Sequence, residues 1–312
     1  MLRFTVTDKN GGEYPLHKVL TVSLDCDARV PADSLIVSCP YDGALRQMDG
    51  LRAYDGDTLV FRGQLDNIAA EKNAAGVLLR LNARSLAAAL LDNEAEPVTY
   101  RDPDAALMER RHLRPFGITL MTRDTVPYYD TLRIDKGMSH WQVLRSFCRS
   151  RYGCEPRVTG DGRAYLNGER PEGTVLFSDK GQGIVYYAVK ESQKRYRLLS
   201  EIRLKFQQAN AYGSVLRNEN PAAKGITRVR YVNAAADKIT LATAQQMLQN
   251  SNRDSYVLRL RCCGCRPDVF GKRAVVEDSV LGRLDGLVAQ QVRCTVDSRG
   301  ERSEIVLVKE RV

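Results

Sequence analysis

The sequence predicts an α+β protein that is mostly β, with two antiparallel β-barrel parts flanking a small α+β middle part. Three observations carry this. Runs of period-two alternation, separated by Gly, Pro and Asp turns, fill both ends of the chain. One helical pattern, His140 to Tyr152, stands between them, with Trp141, Leu144, Phe147 and Cys148 at three- and four-residue spacing. A hairpin pattern at Arg52–Arg84 recurs near the C-terminus at Arg273–Lys309.

The first part, residues 1–97, begins with strand-like runs at Leu2–Thr7, Leu20–Asp25 and Ser34–Cys39. The turns between them are Gly11-Gly12, Pro31, Pro40, Asp42-Gly43 and Asp49-Gly50. A strand at Thr58–Arg62 and a hairpin, Gly63–Glu71 and Val77–Arg84, bring the total to about six, enough to close a barrel or sandwich and so remove exposed edges. The turn Asn73-Ala-Ala-Gly76 ends on a residue that accepts positive φ. A helix-prone run, Leu86–Leu91, stops at Asp92-Asn93.

The middle part, 98–182, opens with Asp104 capping a short helix through Arg111. Ile118–Ile134 reads as extended, the helix His140–Tyr152 ends before Gly153, and a hairpin turns at Gly160-Asp-Gly162. The last part, 183–312, alternates at Ile202–Phe206 and Val229–Tyr231, around a polar loop from Tyr212 to Gly225 that reads as mobile. A helix at Leu241–Asn250, a strand at Tyr256–Cys262 and the hairpin Leu287–Val296 with Arg302–Lys309 follow. From Gly63 to Gly76 is 13 residues and from Gly286 to Gly300 is 14. A true repeat implies two barrels per chain; two independent hairpins would also look alike. Strand alternation puts Val60, Leu65, Val306 and Val308 among candidate core or ring-contact positions.

Composition bounds function. A chain of 312 residues with 43% hydrophobic and 27% charged residues is globular and builds two or three domains. No run approaches the ~20 apolar residues of a spanning helix. The N-terminus alternates like a strand and lacks a signal-peptide apolar region, so synthesis in the cytoplasm is expected. The net charge of +9 is uneven: residues 1–97 carry 10 Lys and Arg against 14 Asp and Glu, and residues 191–312 carry 22 against 13. That asymmetry points to nucleic acid or to a partner of opposite sign.

No catalytic constellation emerges, and no enzyme or cofactor is expected. His17, His112 and His140 lack paired spacing, and His112 and His140 read as surface residues at helix ends. There is no G-x-S-x-G elbow, and Gly271-Lys272 lacks the Walker pattern. Cys262, Cys263 and Cys265 form the one cysteine cluster; they read as reduced thiols, or as a zinc site only if Cys294 or Cys154 joins them.

The stretch VFRGQLDNIAAEKNAAGVLLRLNARSLAAALLDNEAEP, Val60 to Pro97, resembles the N-terminal signature of contractile phage tail baseplate hub proteins. KGMSHWQVLRSFCRSRYGCEPRVTGDGRAYL, Lys136 to Leu166, resembles their middle domain, and the final hairpin with Asp297-Ser-Arg-Gly300 resembles their second tube-type barrel. The resemblance extends to the hub half of type VI secretion spike proteins. It implies a non-enzymatic virion protein: a homotrimer whose two tube-like barrels per chain form a pseudo-sixfold ring between a hexameric tail tube and a trimeric central spike. The implied partners are the tail tube protein, the spike, other baseplate proteins and the tape-measure protein. Nucleic acid enters only as a genome in transit. The resemblance covers no spike or lysozyme domain, so puncturing is expected to fall to another polypeptide. The cysteine cluster matches nothing in the family's pattern.

Two readings of other classes remain. Ile134–Leu144 resembles the opening of a LysM module, a peptidoglycan- or chitin-binding fold, with Met138-Ser139 in place of Asp-Thr and Trp141 as the glycan-binding candidate. A nucleic-acid-binding module rests on charge alone.

Overall fold

A computed structural model describes residues 2–41, 43, 48–74, 76–124, 129–169, 171–206, 211–234 and 239–310. Ala75 of the expected first hairpin turn and Asp42 of an earlier one lie outside these. The chain forms two compact units. The first comprises Met1–Glu172, Arg261–Gly271 and Gln290–Ile305; the second comprises Gly173–Leu260, Lys272–Ala289 and Val306–Val312.

The first unit starts with β1 (Leu2–Asp8), β2 (Glu13–Pro15), β3 (Thr21–Asp27), β4 (Ser34–Pro40), β5 (Met48–Asp55), β6 (Thr58–Asn73) and β7 (Gly76–Ser85). They pair antiparallel in the order β3-β4-β7-β6-β5-β1-β2. Alternate residues turn inward: Phe4 and Val6, Val22 and Leu24, Leu35 and Val37, Leu51 and Ala53, Phe61, Leu79 and Leu81 are all buried. This one-sided burial explains the period-two pattern, since each inward side chain gains the transfer free energy of its apolar surface.

The expected strand at 58–62 and the hairpin arm after it are one continuous strand. Gly63 is the reason. A Cβ there would overlap the carbonyl of Arg84, so glycine lets β7 approach and β6 runs straight through.

Between β7 and Glu172 the first unit contains α1 (Ala87–Asp92), β8 (Thr99–Arg101), α2 (Ala105–Met108), β9 (Thr119–Leu120), β10 (Thr131–Arg133), α3 (His140–Tyr152), β11 (Arg157–Val158) and β12 (Arg163–Tyr165). One cluster, with Leu90, Met108, Leu113, Val143, Leu144, Phe147 and Leu166, holds these elements together. Helix α3 matches its sequence pattern. Ser139 accepts from the backbone N–H of Gln142, the Gln142 side chain accepts from the N–H of Ser139, and Gly153 ends the helix at φ +63°. The expected helix through Arg111 is shorter. It stops at Met108 and widens into a π-helical turn at Glu109–Leu113, which carries His112 into the core.

The chain continues with β13 (Thr174–Ser178), β14 (Ile184–Gln193), β15 (Glu201–Lys205), β16 (Ser214–Arg217), β17 (Val229–Asn233), α4 (Leu241–Ser255) and β18 (Tyr256–Cys263). The final strands are β19 (Arg273–Asp278), β20 (Gly282–Asp297) and β21 (Gly300–Lys309); the end of β18, the second half of β20 and the first part of β21 belong to the first unit and the rest to the second. Strands β13, β14, β18, β21, β20 and β19 form a closed six-membered ring, because β19 pairs with both β13 and β20. The ring is not purely antiparallel as expected: β13 pairs parallel with β14 and with β19. The segment between β14 and β18 is an insert, a three-stranded sheet in the order β16-β15-β17 packed on α4 through Ile202, Leu204, Val232, Ala244 and Leu248. The stretch read as a polar mobile loop contains β16, held antiparallel to β15.

Candidate functional site

The two halves share one strand order. In chain order the first half runs β1, β3, β4, β5, β6, β7, and the second runs β13, β14, β18, β19, β20, β21. Their sheet orders are β3-β4-β7-β6-β5-β1 and β14-β18-β21-β20-β19-β13, the same permutation. The lengths agree as well: β6 and β20 both have 16 residues, and β7 and β21 both have 10. The order is shared but not every direction: β1 pairs antiparallel with β5, whereas β13 pairs parallel with β19, so the sequence echo between Arg52–Arg84 and Arg273–Lys309 falls within a repeated strand order.

The edges of the two long strands differ. Beyond the β19 pairing, residues Gln291–Val296 of β20 pair antiparallel with Val22–Asp27 of β3. The β5 pairing of β6 ends at Gln64, and among the described residues Leu65–Lys72 pair with β7 alone. Every β6 residue from Asp66 to Asn73 is exposed. Asp66 is the residue left over where the ladder slips between Leu65 and Asn67, as in a β-bulge. The guanidinium of Arg84 joins Asp66 (Nε–Oδ2 2.6 Å) to Asp92 (Nη2–Oδ2 2.7 Å), tying the base of this hairpin to the end of α1. An open strand edge is a template for another chain's strand. In β14, pairing with β13 is confined to Ile184 and Val185.

Of the residues singled out in the sequence, Val60 and Leu65 are half-buried on β6. Val306 and Val308 are buried with Val257 in a small cluster of the second unit. Trp141 is half-buried against the cluster under α3, which is followed by the hairpin β11–β12 and no second helix. Cys262 and Cys265 are buried and Cys263 is exposed. Cys265 shares a hydrogen bond with Cys294, which raises the Cys265 thiol and lowers that of Cys294. Among the described residues no group of three or more His, Cys, Asp or Glu side chains is arranged to hold a metal ion.

Sequence spacing missed two buried polar groups. His112 and His140 do not lie apart on the surface as expected; His112 is buried and His140 half-buried, with their Nδ1 atoms 2.9 Å apart. The Tyr100 hydroxyl lies 3.3 Å from His112 Nε2, and Phe116 stacks edge-on to His140. Burial, then the charges of His140 and Arg111, pushes His112 down to about 4. Asp33 is also buried, and burial raises its carboxyl to about 7 against the pull of Arg157 and a hydrogen bond with Cys26. Neither group has a signal in local sequence, because each depends on chain segments brought together by the fold.

No protein-family model and no curated protein matches the sequence. Solved structures do match. The chain is similar to the tail protein from Neisseria meningitidis MC58, at 17% identity and a TM-score of 0.76 over 99% of this chain and 96% of that one. It is similar to the 43 kDa tail protein of prophage MuSo2 from Shewanella oneidensis, at 13% identity and a TM-score of 0.76 over 99% and 98%. A chain of the Francisella PdpA–VgrG complex aligns at 7% identity with a TM-score of 0.62, covering 99% of this chain and 58% of that one. The repeated strand order, the closed ring and the long hairpins are thus laid out in the fold of phage tail proteins.

Proposed function

We propose that the chain is a structural, non-enzymatic hub of a contractile tail baseplate, in a phage or a phage-tail-like particle. Three copies form a pseudo-sixfold ring that adapts a hexameric tail tube to a trimeric central spike. Residues 1–97 and 183–312 supply the two ring positions of each chain, and 98–182 forms the part between them. The observation that carries this reading is the repeated six-strand order, since a threefold assembly matches a sixfold one only if each chain contributes two equivalent parts.

The open edge of β6 gives the ring its contact. Within one chain the edge of β20 is already covered by β3. The equivalent of β20 is β6, and the equivalent of β3 is β14. Repeating the same contact between chains lays β14 of one copy along Leu65–Lys72 of the next, closing the ring after three copies. Leu65 opens that contact and Val60 lies beside it on β6. The tail tube protein, the spike, other baseplate proteins and the tape-measure protein are the partners, and the assembled protein resides in the virion.

Light scattering on the full chain, alone and with its spike and tube proteins, tests this directly. Trimer mass and threefold rings in electron micrographs are expected. A monomer under every one of these conditions overturns the reading.

A further inference from the structure

The insert between β14 and β18 holds most of the chain's charge. Residues 194–255 carry 11 Lys and Arg against 4 Asp and Glu, a net of +7 out of +9 for the whole chain. Three of these cationic residues line a cleft of about 450 Å³ between the start of β17 and α4. Arg197, Arg228 and Arg230 bring guanidinium groups to it, and Leu199, Val229 and Met247 give it apolar walls. All three arginines are exposed, and among the described residues neither Arg228 nor Arg230 has a carboxylate partner. Among the described residues strand β17 pairs with β15, at one end of the sheet order β16-β15-β17.

We propose that this insert docks an acidic, extended segment of a partner protein. Its carboxylates meet Arg197, Arg228 and Arg230, its apolar side chains enter the cleft, and its backbone adds to the edge of β17. The charge complementarity selects an acidic partner. The cleft favours a peptide over a nucleic acid, because its lining mixes the apolar Leu199, Val229 and Met247 with Asn250, Ser251 and the Asp254 carboxylate, which would repel a phosphate backbone. Asp254 is paired with Arg253 at 3.1 Å. The proposal does not depend on the ring reading, since none of these residues lies on β6 or β20.

Fluorescence anisotropy on the full chain tests it. The probes are a labelled peptide alternating Glu and Val, the same peptide with Gln for Glu, and a single-stranded thymidine oligonucleotide. The Glu peptide is expected to bind at low salt and to weaken as salt rises, with the Gln peptide about tenfold weaker or more. The double variant Arg228→Glu, Arg230→Glu is expected to lose about tenfold or more, while Arg228→Lys, Arg230→Lys retains most of the affinity. Unchanged thermal melting and oligomeric mass in both variants keep the comparison clean. Absence of Glu-peptide binding, equal binding of the Gln peptide, tighter binding of the oligonucleotide, or full affinity in the Glu variant overturns the proposal.

Discussion

The Nδ1 atom of His112 lies 2.9 Å from the Nδ1 atom of His140, so one ring donates a hydrogen bond to the other. The Tyr100 hydroxyl lies 3.3 Å from His112 Nε2, so its role is tied to the His112 tautomer. If Tyr100 donates to Nε2, His112 carries its proton on Nδ1 and donates to His140, leaving both rings neutral. This joins the π-helical turn to the first residue of α3.

The pair makes stability depend on pH. The pKa of His112 falls to about 4 from the usual 6.5. Between those values the unfolded chain binds more protons than the folded one, so stability falls as pH drops from about 6.5 to about 4. Thermal melts of the wild type and His112→Phe across this window are expected to converge on acidification. A constant difference would show that the ring does not titrate in the fold.

Asp33 acts with the opposite sign. Its carboxyl sits at about 7 instead of 3.8, so the folded chain holds the extra proton between those values and loses stability as pH rises through them. Oδ2 of Asp33 has no hydrogen-bond partner among the described residues. Asp33→Asn removes the ionisation and is expected to gain on the wild type as pH climbs from about 4 to about 7. Denaturant midpoints at the two ends of that range measure the gain.

Two equivalent strands carry glycines that serve different ends. A Cβ at Gly63 would overlap the Arg84 carbonyl, whereas a Cβ at Gly286 meets nothing but φ is +66°. Gly63→Ala is expected to destabilise by more than about 2 kcal/mol, because β7 must move away. Gly286→Ala is expected to cost about 1–2 kcal/mol, the penalty of a left-handed backbone. Chemical denaturation of both variants distinguishes them, and equal losses would mean that close approach is not what glycine provides in β6.

The open edge of β6 is expected to matter for assembly and not for folding. Ile68 and Ala70 are exposed there, so Ile68→Lys, Ala70→Lys should leave the unfolding free energy within about 0.5 kcal/mol of wild type. The trimer mass should be lost, because charged residues blunt an edge against pairing. A variant that still assembles would move the ring contact elsewhere.

Much of this architecture was legible in the residues. Alternation located β3, β4 and β18 because each buries one face, and Ser139, Gln142 and Gly153 marked both ends of α3. What escaped had no local period. Strand β13 joins the ring through parallel pairings, with the next strand β14 and with the remote β19, and its five residues, TVLFS, show no clean alternation. Strand β16 hides in a polar stretch because most of its residues face solvent. The histidine pair joins residues 28 apart through a widened helical turn, which no spacing rule anticipates. Among the described residues, the unpaired edge of β6 follows from where β5 stops pairing, a property of the partner strand and not of β6 itself.

The first unit contains Arg261–Gly271 and Gln290–Ile305 as well as its N-terminal residues. The strand that covers β3 therefore lies more than 260 residues further along the chain. A nascent chain holds β3 with one side uncovered until Gln291–Val296 has been made, and a chain broken off before Gln290 never covers it. Such long-range pairing slows folding, and it makes the shielding of β3 depend on a segment remote in sequence. Chains broken off before Gln290 would expose a second strand edge and so be open to strand addition that the longer chain resists.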